Sequence, residues 1–273
     1  MVVPRFIGTR RPVSSVDRRS TRCWQPIAPE PGSSGWPGRR SWPSERADVY
    51  WVALPSAETP VADHLAVLSE LERSRAARFR FAADRIRSVV ARASLRRLLA
   101  NYLGLDPVNV SFAEGPHGKP FLADERCTLS FNTAHSGGLV VHVVTERSVV
   151  GIDVERIRPE PLGAAMLGEF LTPAETNRLR RMPLAEAHRE AHRIWTHKEA
   201  YLKALGSGLS VNPRQVDLGI GDEPCVEFGA RVSHCKVDAL TPCWSVWDLA
   251  CPPGYVATLV RAGRPVLVHE AVM

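Results

Sequence analysis

Residues 84–103 carry apolar side chains at Ile86, Val89, Val90, Ala93, Leu98, Leu99, Tyr102 and Leu103, the spacing of one long amphipathic helix. Asp84 is placed to act as its N-cap and Gly104 as its C′ residue, so both ends are specified locally. Arg85, Arg92 and Arg96 fall on the opposite face. A second long helical pattern spans 185–205, and strand-like segments surround each helix. One long helix with strands in each half predicts an α+β chain. It fits two similar halves, although no internal repeat ties them together.

Regular structure is expected to begin with a strand at Asp48–Leu54 and a short helix near 62–71. Strands are predicted near 108–113, 127–131, 139–145, 149–155, 225–232, 243–250, 254–261 and 265–269, with further helices near 162–170 and 173–181. Thr172-Pro173-Ala174-Glu175 reads as a capping box with proline at the first helical position. Residues 1–46 hold seven Pro, seven Ser, four Gly and nine Arg without sustained periodicity, the composition of a disordered extension.

The 273 residues, 44% hydrophobic and 23% charged, suffice for a sizeable core and exclude a disordered protein. No apolar run approaches the roughly 20 residues that span a bilayer, and no secretory apolar stretch opens the chain, so a cytoplasmic protein is expected. The six cysteines form no C-x-x-C pair and read as reduced, mostly buried side chains. The formal charge of +6 lies wholly in residues 1–46, because 26 basic residues balance 26 acidic ones from 47 onward. Residues 73–97 still concentrate nine Arg against Asp84 alone. Lysine is scarce, at four against 31 Arg, so Lys119, Lys198, Lys203 and Lys236 mark places that a compact ammonium would suit.

Three constellations could carry chemistry. In Gly151-Ile152-Asp153-Val154-Glu155, a strand would put Asp153 and Glu155 side by side on one face, where two carboxylates call for a cation. In Trp195-Thr196-His197-Lys198-Glu199-Ala200-Tyr201-Leu202-Lys203, helical spacing aligns Trp195, Glu199 and Lys203, with Lys198 alongside. The plain alternative is a surface Glu199–Lys203 ion pair; a third carboxylate beside two ammonium groups also suits a magnesium-bound pyrophosphate. The third is Gly118-Lys119-Pro120, a turn, followed by Phe131–Gly138, a polar loop whose backbone, hydroxyl and imidazole donors could meet a phosphate. His188 and His192 have the spacing of a zinc protease pair, but the glutamate stands at 190 instead of 189, about 100° out of place on the helix.

Taken in order, these pieces resemble the Sfp-type 4′-phosphopantetheinyl transferases. The matching elements are Arg78-Phe79-Arg80-Phe81 through Asp84-Arg85, then G-K-P, F-N-x-x-H-S, G-I-D-V-E, F-L-T-P-x-E and W-T-x-K-E-A-x-x-K-x-x-G-x-G-L, over about residues 48–265. The resemblance implies a 4′-phosphopantetheinyl transferase-like α+β fold with two pseudo-symmetric halves, 47–148 and 149–273, and the active site between them. It implies Mg²⁺ as cofactor on Asp153, Glu155 and Glu199, and coenzyme A as co-substrate. Lys198 and Lys203 match groups near the pyrophosphate, whereas Lys119 and His135 match contacts to the adenosine end and 3′-phosphate. Arg75, Arg87 and Ser88 fall where members of the family contact that nucleotide. Ala134 replaces the usual Ser, so that one phosphate hydrogen bond is either missing or supplied by Thr133 or backbone.

The implied reaction is attack by a carrier-protein serine on the β-phosphate of coenzyme A, with Glu199 as first choice of base, directly or through water, Glu155 second, and Lys198 and Lys203 offsetting charge on the leaving phosphate. The expected partners are an apo acyl or peptidyl carrier protein and coenzyme A, with no nucleic acid, no membrane and a monomeric enzyme. Two alternatives are a nucleic-acid binder using the arginine-rich segments and a relative that binds the coenzyme without transferring from it. Steep salt dependence and coenzyme binding without carrier modification would respectively mark them.

Overall fold

The computed structural model describes residues 46–56, 60–158, 164–218, 225–227, 230–235, 244–264 and 266–273; the extension expected over 1–46 lies almost wholly outside them. Four strands, β1 (Arg46–Ala53), β4 (Leu129–Ser136), β5 (Leu139–Glu146) and β11 (Leu267–Val272), form a sheet in the order β11-β1-β5-β4. A second sheet runs β6-β10-β9-β8-β7, from β6 (Val150–Arg156), β10 (Tyr255–Ala262), β9 (Trp244–Asp248), β8 (Ala230–Cys235) and β7 (Cys225–Glu227). A small hairpin joins β2 (Phe112–Glu114) to β3 (Pro120–Leu122).

Strand alternation decides which residues meet where. Val49 and Trp51 of β1 and Val141 and Val143 of β5 share one buried cluster with Ile152 and Val154 of β6 and Leu259 of β10, so the two sheets pack through it. The alternate residues face outward: Tyr50, Phe131 and Val144 bury Leu95, Leu98 and Leu99 of helix α3 (Ala82–Leu103). On the other sheet Val246 and Val260 bury Ala200, Tyr201 and Ala204 of helix α6 (Leu184–Leu205). The order is therefore helix, sheet, sheet, helix. The last strand, β11, leaves the second half and pairs in parallel with β1, from Arg46 opposite Leu267 to Trp51 opposite Val272.

Several expectations change. The short helix near 62–71 is two helices, α1 (Ala62–Ala66) and α2 (Glu70–Ala77), because Ser69 and Glu72 build a capping box that starts a new helix. Gly104 closes α3 in the left-handed conformation as expected, but Phe81 holds the N-cap position and Asp84 instead pairs with Arg87 at 2.6 Å. Arg96 is buried: its Nε donates to Glu72 at 2.7 Å and its Nη1 to the carbonyls of Pro107 and Val110 at 2.9 Å each. Arg92 lies over the Phe112 ring with Glu72 at 3.4 Å. The polar run Phe131–Gly138 is not a loop: it is strand β4 as far as Ser136, followed by a Gly137-Gly138 turn.

Helices α4 (Ala164–Phe170) and α5 (Pro173–Leu179) lead into α6, and the capping box at Thr172 and Glu175 is present. Cys127 and Cys251 are free and half-buried. Among the described residues, no helix is long and apolar enough to cross a membrane.

Candidate active site

The two sheets adjoin along β4 and β6, and side chains of β4 bridge the seam. Asn132 Oδ1 accepts from the backbone N–H of Ile152 at 2.9 Å. Ser136 donates to Glu155 Oε2 at 2.7 Å and accepts from the N–H of Arg156 at 3.1 Å. Glu155 is thereby oriented from the neighbouring sheet.

On β6, Ile152 and Val154 enter the core while Gly151, Asp153 and Glu155 take the face toward α6. Gly151 is what lets the helix come close: a Cβ there would stand 2.0 Å from the Ala200 carbonyl oxygen and 2.4 Å from the Ala204 nitrogen. Thr196 and Thr258 bond at 3.0 Å in the same interface. The result is that Lys203, one turn beyond Glu199, donates to Asp153 Oδ1 at 2.6 Å. Asp153 is only 4% exposed, and its second oxygen, Oδ2, is buried without a hydrogen-bond partner.

Burial pushes the Asp153 carboxyl up to about 7; Lys203 opposes that rise, and the negative charges of Glu155 and Glu199 add to it. Glu199 is raised as well, by burial first and by Glu155, again against Lys203. Three carboxylates and one ammonium thus act on one another in a single partly enclosed site. Among the described residues, however, no three Asp, Glu, His or Cys side chains are gathered tightly enough to hold a metal as they stand. Lys203 holds one carboxylate and Ser136 another.

His135 and Arg87 form the adjoining wall. Partial enclosure of the His135 ring lowers its pKa, as do the charges of Arg87 and Lys203, against an opposing effect of Glu155. Arg87 donates to Asp84 through Nη1, and its Nε is buried without a partner; Ser88 follows it, half-buried. The structure therefore brings together Asp153, Glu155, Glu199, Lys203, His135 and Arg87.

Four predicted residues are engaged elsewhere. Lys198 is 1% exposed, and its three N–H donors reach the Phe170 carbonyl at 2.7 Å, Glu175 Oε2 at 2.7 Å and the Pro213 carbonyl at 3.1 Å. It ties α4, α5 and α6 together and has no donor left for a pyrophosphate. Lys119 donates to the carbonyls of Val150 at 3.1 Å and Ala204 at 2.9 Å, at the negative end of α6, and burial lowers it to about 8. Arg75 is held by Glu114 at 2.5 Å beside the β2–β3 hairpin. Thr133 bonds to His142 Nδ1 at 2.8 Å, and Ala134 is a core residue, not a phosphate contact.

The histidine pair sits side by side on α6. The His188 and His192 rings stack edge-on at 4.7 Å, while His197 bonds to Asp248 at 2.6 Å across to β9. His142 was missed in the sequence, whereas Asn132 and Ser136 stood in the F-N-x-x-H-S motif without a role of their own. A signal existed for His142, which interrupts the otherwise apolar run Leu139–Val144.

The chain is similar to known proteins over most of its length. Residues 149–260 match the family model described as the 4′-phosphopantetheinyl transferase superfamily, and residues 55–147 match 4′-phosphopantetheinyl transferase, N-terminal. The chain belongs to the 4′-phosphopantetheinyl transferase superfamily. It is similar to 4′-phosphopantetheinyl transferase HetI of Nostoc sp., at 32% identity over 81% of this chain and 89% of that protein. It is also similar to 4′-phosphopantetheinyl transferase Sfp of Bacillus subtilis, at 25% identity over 72% of this chain and 84% of the relative.

Proposed function

We propose that this chain transfers the 4′-phosphopantetheine group of coenzyme A to a serine hydroxyl of an acyl or peptidyl carrier protein, at a site between its two halves. The observation that carries this reading is the convergence of Asp153, Glu155, Glu199 and Lys203 on one side of a wall formed by His135 and Arg87. Carboxylates with an ammonium suit the reacting diphosphate, and an imidazole with a guanidinium suits the phosphate of the nucleotide.

In the reaction, the serine oxygen bonds to the β-phosphorus and the bond to the bridging oxygen breaks, releasing adenosine 3′,5′-bisphosphate. Glu199 takes the serine proton, directly or through a water. Glu155, steadied by Ser136, is the alternative base. Lys203 lies where it can offset charge on the leaving phosphate. His135 and Arg87 orient the nucleotide, with Ser88 next to Arg87.

Magnesium belongs to this proposal as a hard cation for Asp153, Glu155 and Glu199. The donor set is all oxygen, and the buried Asp153 Oδ2 has no partner, which suits a hard cation. When bound, the ion supplies charge neutralisation at the diphosphate. It would compete with Lys203 for Asp153 and with Ser136 for Glu155. Operation as a cytoplasmic monomer is part of the same proposal.

The test is to follow both products together. Holo-carrier and adenosine 3′,5′-bisphosphate should appear in equal amounts, and both should vanish with EDTA and return with excess Mg²⁺. Coenzyme binding without either product would instead identify a non-transferring relative.

A further inference from the structure

We propose that His142 is a positioning residue: through Ser94 and Thr133 it fixes α3 against β4 and so sets the spacing of Arg87 and His135. This role rests on the function proposed above, in which those two side chains hold the nucleotide end of coenzyme A.

His142 is fully buried on β5 and makes two bonds, from Nε2 to Ser94 Oγ at 2.8 Å and from Nδ1 to Thr133 Oγ1 at 2.8 Å. The hydrogen positions follow from counting donors. Ser94 has one hydroxyl proton, which goes to the Val90 carbonyl at 2.7 Å. Ser94 must then accept from His142, so Nε2 carries the imidazole proton and Nδ1 is an acceptor. Thr133 therefore donates inward to Nδ1. A neutral ring is what burial enforces, lowering His142 to about 3. With its only proton spent, Thr133 has no donor for a phosphate, and its part in the site is to anchor the ring.

The chain of bonds lies beside the nucleotide wall on both elements. His135 is two residues beyond Thr133 on the same face of β4, ~7 Å along the strand. Arg87 is seven residues before Ser94 on the same side of α3, ~10 Å along the helix. Arg87 and His135 repel when both are charged; burial is the first cause of the lowered His135 pKa, and the charge of Arg87 adds to it. Two such groups stay close only if the backbone elements carrying them are held. Asp84 pairs with Arg87 from within the helix, and the Thr133–His142–Ser94 bonds tie that helix to the strand.

The test compares coenzyme A with 3′-dephospho-coenzyme A as donors, using Ser94→Ala, His142→Phe and His142→Gln. Ser94→Ala and His142→Phe should each raise KM for coenzyme A about tenfold, change kcat less than about threefold, and erase the preference for coenzyme A over the dephospho form. His142→Gln keeps one donor and one acceptor and should restore most of that preference. If His142→Phe does not fold, Ser94→Ala and His142→Gln still decide the matter.

Unaltered coenzyme preference in Ser94→Ala would overturn the positioning role and leave the transferase intact. So would equal loss of activity with both donors in step with thermal stability. Failure of the wild-type protein to bind either donor or modify a carrier would overturn the transferase itself, and this role with it.

Discussion

Lys203 donates to Asp153 Oδ1 at 2.6 Å, while the other oxygen of the same buried carboxylate has no partner. The ammonium is the one positive influence opposing the rise of Asp153 to about 7. Lys203→Met should therefore push Asp153 higher still and move the acid limb of the kcat/KM profile to higher pH. Turnover at pH 7 should fall about a hundredfold. Superimposable pH profiles for wild type and variant would contradict this role.

Lys198 and Lys203, five residues apart on α6, should differ in their effect on turnover. Lys198 is closed off by two carbonyls and Glu175, so Lys198→Met leaves Glu175 and those carbonyls short of their donor. The expected loss is about 3 kcal/mol of stability in urea denaturation, with coenzyme affinity of the folded protein near wild type. Lys203→Met takes the one donor from the buried Asp153 carboxyl and should also cost stability, but unlike Lys198→Met it should greatly lower turnover in the protein that remains folded.

Gly151→Ala places a methyl group 2.0 Å from a backbone oxygen of α6, and backbone cannot swing aside. The helix must lift from β6, which separates Lys203 from Asp153. A destabilisation of about 3 kcal/mol or more is expected, seen as a lowered Tm or loss of soluble protein. A Tm unchanged from wild type would show that α6 does not press on β6 so closely.

His142 gives a stability signature with a definite sign. Its pKa falls from 6.5 unfolded to about 3 folded, so between those values the unfolded chain binds more protons. The contribution of the neutral ring is complete above pH 6.5 and is lost as pH falls toward 3. The slope is roughly 1.4 kcal/mol per pH unit. His142→Gln should flatten the fall in Tm between pH 6.5 and pH 4.5 by the corresponding amount; an unchanged slope would mean that the ring is not held neutral.

Periodicity made both long helices legible, along with the strand pairing of Asp153 and Glu155, because those segments are long and their apolar spacing is consistent. Polar strands were not legible. Asn132, Thr133 and Ser136 look like loop residues until Ile152, His142 and Glu155 appear as their partners, and those contacts are made between elements. The same holds for charge. Counting arginines near 73–97 did not reveal that Arg96 is buried against Glu72, nor did scarcity separate the buried structural Lys198 from Lys203. Local pattern predicts elements, whereas the use of a charged side chain depends on which element packs over it.

Intact-mass spectrometry of an apo-carrier incubated with the protein, coenzyme A and Mg²⁺ tests the central claim most directly. The wild-type protein should add the mass of one phosphopantetheine to the carrier serine, and Asp153→Asn and Glu199→Gln, folded and still monodisperse, should add none. No mass change across a panel of apo-carriers with the wild-type protein, or full modification by both variants, would contradict the account.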